Sequence, residues 1–185
     1  MANYSSSSVS AYTIDGITGA LTPVVGSPFA AGGGPASVTV DSTGQFVYVA
    51  NANSNNVSAF TIDAITGALT PLAGSPFPAG TGPRSVTVDA TGQFVYVANA
   101  GSNDVSAYSI DATTGALAPV AGSPFGAGSF PESVTVDLTG QFAYVANINS
   151  NNVSAYSING ATGALTPVAG SPFPSGSNPR SVTVD

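Results

Sequence analysis

Apolar and polar residues alternate along short stretches of the chain, and turn-forming residues separate these stretches. In one representative part, residues 85–89 alternate with a period of two, which indicates a β-strand. Residues 94–98 are apolar on both faces, as expected for a strand whose sheet is covered on both sides. Residues 105–110 predict a third strand, and residues 116–120 predict a short fourth one. Pro119 in the fourth strand cannot donate a ladder hydrogen bond, which suits an outer edge.

This pattern repeats every 48 residues. Phe46, Phe94 and Phe142 each begin a Phe-x-Tyr-Val-Ala-Asn segment. Two further sets keep the same spacing: Val9, Val57, Val105 and Val153, and Phe29, Phe77, Phe125 and Phe173. We divide the chain (1–185) into a partial repeat (1–33), three complete repeats (34–81, 82–129 and 130–177) and the first strand of a split blade (178–185).

Several short strands at fixed offsets within each repeat are typical of propeller blades. The sequence therefore predicts an all-β protein, a β-propeller built from four 48-residue, four-stranded antiparallel blade repeats. A β-solenoid uses much shorter repeats, and an immunoglobulin-like sandwich does not repeat its own sequence at this fidelity. No segment of useful length has the periodicity of a helix.

Composition and charge exclude several classes of function. The chain has two basic side chains against nine acidic ones and a formal net charge of -7, whereas nucleic-acid binding needs clustered Lys and Arg. The same deficit argues against binding to an anionic membrane surface. Cys and His are absent, which removes common metal ligands and the commonest general base at neutral pH. The sequence predicts neither a metal site nor a cofactor.

Acidic residues recur in two turns of each copy. A ring of carboxylates on one face of a propeller is a candidate cation site, because hard cations need several oxygen ligands. We favour the alternative that each carboxylate caps its own turn by accepting backbone N–H groups. The first set is Asp41, Asp89, Asp137 and Asp185, and the second is Asp15, Asp63, Asp111 and Asn159.

Aromatic residues also recur on the predicted strands. A stacking platform for sugars or bases is one interpretation, but strict repetition favours packing between blades. The set is Tyr48, Tyr96, Tyr144, Tyr12, Phe60, Tyr108 and Tyr156. The glycines at 32–34 are not a phosphate-binding loop, because neither a Lys at the required spacing nor a helix follows them.

The copies differ at one position, just after the Pro of the loop between blades. Successive copies have Ala36, Arg84, Glu132 and Arg180 there. In a propeller this loop leads into the innermost strand, so these side chains should lie near one mouth of the central channel. Phe130, an aromatic residue outside the repeat pattern, should lie beside them. Arg84, Glu132, Arg180 and Phe130 are therefore the candidate ligand-binding residues, with drift at a solvated loop as the alternative. We predict no catalytic residue from the pattern.

Four motifs of the copy 34–81 are FVYVAN (46–51), VSAFTID (57–63), TGALTP (66–71) and GSPF (74–77). They resemble the YVTN-type repeats of the lactonase-like β-propeller family, and the resemblance covers essentially the whole chain. It implies a complete propeller of about seven blades. It also implies lactone hydrolysis of the 6-phosphogluconolactonase type, with Arg, Glu and His around the channel mouth. Of these residue types, the sequence offers only Arg84, Glu132 and Arg180 at the varying position.

Three kinds of function remain open on this basis. We favour a non-enzymatic repeat scaffold that binds or assembles through its faces and edges, because no catalytic group is conspicuous. The alternatives are the lactonase-like hydrolase and a glycan- or small-molecule-binding propeller that uses the same channel mouth.

The split blade leads to an expectation about partners. Ala2 and Asn3 align with the end of a second strand, residues 181–185 with a first strand, and most of the second strand is missing. An open blade exposes unpaired backbone groups, so we expect a homo-oligomer through these edges, either a dimeric ring or a filament. Self-closure as a strained four-bladed ring and truncation of a longer parent are the alternatives. No signal peptide is visible at residues 1–5, and we expect an extracellular or periplasmic location.

Overall fold

The computed structural model describes residues 1–184, and β-strands form nearly all of its regular structure. Residues 1–30 form an incomplete unit, the partial blade. It contains one turn of 3-10 helix at Tyr4–Ser6. Its strands are β1 (Ala2–Asn3), β2 (Ser8–Val9), β3 (Tyr12–Ile14), β4 (Leu21–Pro23) and β5 (Phe29–Ala30).

Three complete five-stranded sheets follow, and we name them blades I, II and III. Blade I consists of β6 (Pro35–Val40), β7 (Phe46–Asn51), β8 (Asn56–Ile62), β9 (Leu69–Pro71) and β10 (Phe77–Pro78). Blade II consists of β11 (Pro83–Val88), β12 (Phe94–Asn99), β13 (Asp104–Ile110), β14 (Leu117–Pro119) and β15 (Phe125–Gly126). Blade III consists of β16 (Pro131–Val136), β17 (Phe142–Asn147), β18 (Asn152–Ile158), β19 (Leu165–Pro167) and β20 (Phe173–Pro174). The predicted all-β propeller architecture is confirmed.

Each complete blade is antiparallel, and its outer position is divided between two short strands. In blade II, β11 pairs with β12, β12 with β13, and β13 with both β14 and β15. Where the outer ladder is interrupted, the Ala107 N–H donates to the Ser123 hydroxyl at 2.9 Å. A serine thus replaces the missing strand partner. The sequence predicted one short outer strand, and the second, at the Gly-Ser-Pro-Phe motif, is an addition.

The second strands of blades I and II are buried on both faces because a neighbouring unit lies on either side of each. Val95 and Val97 of β12 belong to the core between blades I and II. Phe94, Tyr96 and Ala98 of the same strand belong to the core between blades II and III. This alternation explains the continuous apolar run, and it places most of the protein's apolar burial between blades rather than within one.

The inner strands lie side by side, joined by a hydrogen bond that recurs from blade to blade. The Val86 N–H donates to the Ser37 hydroxyl at 3.2 Å, and the Val134 N–H donates to the Ser85 hydroxyl at 3.2 Å. Together with the inter-blade cores, this bond fixes the rotation of each blade relative to the next.

The C-terminal segment follows the same geometry without forming a strand. The Val182 N–H donates to the Ser133 hydroxyl at 3.4 Å, as the equivalent residues do in blades II and III. Residues 179–184 nevertheless have no strand pairing. The first strand predicted for 178–185 therefore does not form within residues 178–184, because its second-strand partner is not in the sequence. Asp185 lies outside the described residues.

Candidate functional site

The position at which the copies differ is a β-bulge of the inner strand. In blade II, Pro83 is opposite Asn99 and Ser85 is opposite Ala98, so Arg84 has no opposite residue on β12. The same one-residue shift occurs around Ala36 in blade I and around Glu132 in blade III. Bulges redirect side chains and are frequent beside active sites. The sequence identified the variable position but not the bulge.

The inner-strand hydrogen bonds bring these bulges to the same end of adjacent blades. Because β6, β11 and β16 run side by side in equal register, Ala36, Arg84 and Glu132 follow one another around the axis. Arg180 continues the series in the segment beside β16. We call this end of the inner strands the variable rim. Arg84 and Glu132 are partly buried there, and Arg180 is exposed.

Arg84 and Phe130 form the one pair of predicted site residues joined by a cation–π contact in residues 1–184. The Arg84 Cζ atom lies 5.8 Å from the centroid of the Phe130 ring. This separation is within the range of cation–π attraction. The Arg84 Nε atom is shielded from solvent and has no hydrogen-bond acceptor in the described structure. Buried donors without an acceptor are uncommon and require an explanation.

The variable rim differs from the rest of the chain in its charge. The sequence has two basic side chains and a formal net charge of -7. Both basic side chains, Arg84 and Arg180, occupy the variable position, with Glu132 between them in the series. The variable rim therefore carries both positively charged side chains of the chain, together with one carboxylate. The N-terminal amine is the other positively charged group.

The recurring acids of the first hairpin cap their own turns. The Asp41 carboxylate accepts backbone N–H groups of Gln45 at 2.9 Å and Phe46 at 2.8 Å, and it also accepts the Thr43 hydroxyl. Burial raises the pKa of Asp41, but the hydrogen bonds from Thr43, Phe46 and Gln45 outweigh it and lower that pKa below its usual value. Asp89 and Asp137 make equivalent bonds.

The second set of acids has the same role. Asp63 accepts the backbone N–H groups of Ile65 at 3.0 Å and Thr66 at 2.8 Å, and Asp15, Asp111 and Asn159 cap equivalent turns. The Thr66 backbone bond is the main cause of the lowered pKa of Asp63. Throughout residues 1–184, no group of three acidic, His or Cys side chains is placed to hold a metal ion. Within residues 1–184, the two recurring sets are therefore explained by capping of their own turns rather than by a cation ring.

The recurring aromatic residues pack between blades. Tyr48, Tyr96, Phe60, Tyr108 and Tyr156 are almost fully buried, which leaves no ring face for stacking a sugar or base. Tyr12 is the exception at 39% exposed, because its partial blade lacks a neighbouring second strand. Tyr144 is partly buried in β17.

A buried asparagine at the end of each second strand was not singled out from the sequence. The side-chain amide nitrogen of Asn99 donates to Asp104 at 2.7 Å and to the Ser106 hydroxyl at 2.9 Å. Its Oδ1 atom is buried without a partner, as in Asn51 and Asn147. Each of these residues is opposite the Pro that precedes a bulge. The sequence feature that could have identified these asparagines is the strict recurrence of Asn after Val-Ala.

A mainly apolar cavity lies away from the variable rim. It has a volume of about 440 Å³, between the partial blade and blade I, and its lining includes Met1, Val9, Tyr12, Leu21 and Val40. The lining is mainly apolar, and none of the rim residues contributes to it. Because it contains none of the candidate residues, we do not assign the site there.

Comparisons with known proteins agree with this architecture. The family model described as "Lactonase, 7-bladed beta-propeller" matches residues 1–80, 28–127 and 80–183. No curated protein sequence matches the chain. Within residues 1–184, no helix has the length and apolar character needed to cross a bilayer.

Several solved structures share the fold. A protein from Bacteroides fragilis, provisionally named a 6-phosphogluconolactonase, superposes with a TM-score of 0.83 at 23% identity, covering 94% of this chain and 51% of its own. A Bacteroides uniformis protein with the same provisional name gives a TM-score of 0.82 at 20% identity, covering 93% and 50%. The periplasmic gluconolactonase of Pseudomonas aeruginosa gives 0.68 at 23% identity, covering 86% and 43%. The chain spans about half the length of the first two. With family matches along nearly its whole length, it belongs to the lactonase family of seven-bladed β-propellers.

Proposed function

We propose that this chain contributes to a propeller that hydrolyses sugar lactones. The observation that carries the proposal is the variable rim, where Arg84 and Glu132 lie on adjacent bulges and Arg180 continues the series, in a chain of the lactonase family. Membership of this family favours the hydrolase over the non-enzymatic scaffold that the sequence alone favoured. The names of the structural neighbours support a sugar lactone as the class of substrate.

The residue types at the rim suit lactone opening. Hydrolysis adds a water oxygen to the ester carbonyl carbon, breaks the ring C–O bond, and passes a proton to the departing ring oxygen. Charge develops on the carbonyl oxygen, and a guanidinium such as that of Arg84 or Arg180 would stabilise it. Because His is absent, Glu132 is the side chain at the rim that would accept the proton from the attacking water.

The proposal is tested by measuring acid release from a six-membered sugar lactone above its spontaneous hydrolysis. We expect Glu132→Gln to lower kcat/KM about a hundredfold or more, because a general base is lost. Asp63→Asn is the matched control, because Asn159 already occupies the equivalent turn position in blade III. It should leave turnover unchanged. Wild-type protein that opens lactone no faster than buffer would contradict the proposal.

A glycan- or small-molecule-binding role at the same rim stays a prediction. Saturable binding of a sugar by wild-type protein, without turnover of any lactone, would favour it over hydrolysis.

A further inference from the structure

We propose that Phe130 is a positioning residue that holds the Arg84 guanidinium at the variable rim as a binding subsite for an oxyanion. The oxyanion would be a phosphate or carboxylate group of a small solute. The inference deepens the proposed function and rests on it in one respect, since that solute would be the lactone substrate or its acid product.

The backbone of Phe130 is the first observation. Phe130 has a φ of +58°, in the left-handed region that bulky L residues seldom adopt. The equivalent residues in the other copies are Gly34, Gly82 and Asn178, with φ of +65°, +62° and +54°. Gly and Asn are the residues that tolerate this conformation. The copy that contains Phe130 therefore has strained backbone where its relatives have none, and such strain is typical of functional sites.

The surrounding loop maintains this conformation. The Phe130 N–H donates to Asn103 Oδ1 at 2.8 Å, and the Phe130 carbonyl oxygen accepts the Ile148 N–H at 3.0 Å. The same two bonds hold Gly82, through Asn55 and Ala100. Because the loop dictates the backbone, the aromatic side chain is not needed to form it. Its presence calls for another reason.

The contact with Arg84 supplies that reason. The Arg84 guanidinium lies over the Phe130 ring, with 5.8 Å between Cζ and the ring centroid. An aromatic ring attracts a cation through its face and accepts none of the in-plane N–H groups, so stacking leaves those donors free. Within residues 1–184 the Arg84 Nε atom has no acceptor. The two terminal nitrogens of an oriented guanidinium can hold a phosphate or carboxylate in bidentate geometry.

The charge distribution restricts where an anion can bind. With a formal net charge of -7, most of the surface repels an anion, and the rim holds both arginines. Glu132, on the next inner strand, would repel an anion from its own side. The favoured place is therefore the Arg84 guanidinium, where it lies over the Phe130 ring. Arg180 is exposed and makes no cation–π contact within residues 1–184.

The low arginine content permits a direct measurement. Protein labelled with nitrogen-15 at arginine should give two side-chain Nε signals, one each from Arg84 and Arg180, and Arg84→Ala assigns them. Inorganic phosphate and acetate are titrated separately, so that the two arms distinguish a phosphate from a carboxylate ligand. We expect the Arg84 signal to shift with saturation, and the tighter probe identifies the ligand group.

Two matched variants test the role of the ring. Phe130→Tyr and Phe130→Leu carry similar backbone strain, but only the first retains an aromatic face. We expect Phe130→Tyr to bind the probe like wild type and Phe130→Leu to bind it about five- to thirtyfold more weakly. Phe130→Asn should lose affinity similarly while keeping its thermal midpoint, because Asn suits the left-handed backbone. Equal affinity of the Tyr and Leu variants would overturn the proposal, as would an unresponsive Arg84 signal.

The outcomes separate this inference from the proposed function. If the probe binds in a ring-dependent way but no lactone is opened, the oxyanion subsite stands and the hydrolase proposal fails. If lactone is opened and Phe130→Leu changes neither KM nor probe affinity, the hydrolase proposal stands and this inference fails.

Discussion

The Tyr48 hydroxyl of blade I donates a hydrogen bond of 2.9 Å to the carbonyl oxygen of Gly115 in blade II. Tyr96 makes the same bond, of 3.0 Å, to Gly163 of blade III. Both tyrosines are 0% exposed, so each bond satisfies two polar groups within an apolar core. Burial, with a smaller contribution from the Asp41 carboxylate, raises the pKa of Tyr48, and the hydroxyl keeps its proton as a donor at neutral pH.

Removing this hydroxyl should destabilise the protein. Tyr48→Phe leaves the Gly115 carbonyl oxygen without its partner in the core, and we expect a loss of about 1–2 kcal/mol in the free energy of unfolding. Urea denaturation followed by circular dichroism measures it. Tyr144→Phe is the control, because within residues 1–184 the Tyr144 hydroxyl makes no equivalent hydrogen bond. A loss for Tyr144→Phe as large as that for Tyr48→Phe would contradict the assignment.

Gly115 is required for packing as well as for its backbone conformation. Its φ is +71°, and a Cβ atom there would clash with the ring of Phe46. Gly19 has a similar φ of +72° with nothing within 4 Å. We expect Gly19→Ala to cost about 1 kcal/mol from backbone strain alone. Gly115→Ala should cost about 1–3 kcal/mol more, because Phe46 must move. Equal thermal midpoints for the two variants would exclude the packing effect.

Acid should weaken the first hairpins. The folded-state pKa of Asp41 is lowered relative to the unfolded value of about 3.9, because hydrogen bonds from Thr43, Phe46 and Gln45 outweigh burial. This contribution to stability is therefore present above about pH 4 and lost as the pH falls through the folded-state pKa. Asp137 shows the same direction for the same kind of reason.

Urea denaturation between neutral pH and about pH 2 tests this. Thr43→Val removes one donor to Asp41 and so raises its folded-state pKa toward the unfolded value. The loss of stability in acid should therefore be smaller in that variant and complete at a higher pH. An unchanged pH profile would show that the Asp41 cap does not control acid stability.

Association of copies through open blade edges stays a prediction. Val40 is 51% exposed beside the cavity at the partial blade, although it is the last residue of an inner strand. If a second copy covers this edge, Val40→Lys should lower the mass seen by sedimentation at high protein concentration. Ile65→Lys, at a turn residue that is 95% exposed in blade I, should not. A monomeric mass for wild type at every concentration would contradict the prediction.

The fold followed from the sequence because repetition multiplies weak local signals. The strand Phe94–Asn99 was recognisable since its apolar residues face two blades and recur in Phe142–Asn147. The second outer strand was not, because Phe125–Gly126 has only two residues and follows a Pro. The expected first strand at 178–185 depended on a partner that the sequence does not contain.

The candidate site was only partly predictable. The differences among Ala36, Arg84, Glu132 and Arg180 identified a position, but the bulge there depends on pairing with the second strand. The contact of Arg84 with Phe130 depends on a left-handed backbone that the surrounding loop imposes. Gly or Asn at the equivalent position of the other copies indicates this conformation, whereas Phe130 is a residue type that does not.

The central claim is that Arg84 and Glu132, on neighbouring bulges, act in one site. A double-mutant cycle on kcat/KM for lactone hydrolysis, using Arg84→Ala, Glu132→Gln and the double variant, tests it most directly. Residues that serve the same step should be non-additive, so we expect the double variant to lose little more activity than the more impaired single variant. Losses that multiply independently, or single variants as active as wild type, would contradict the account.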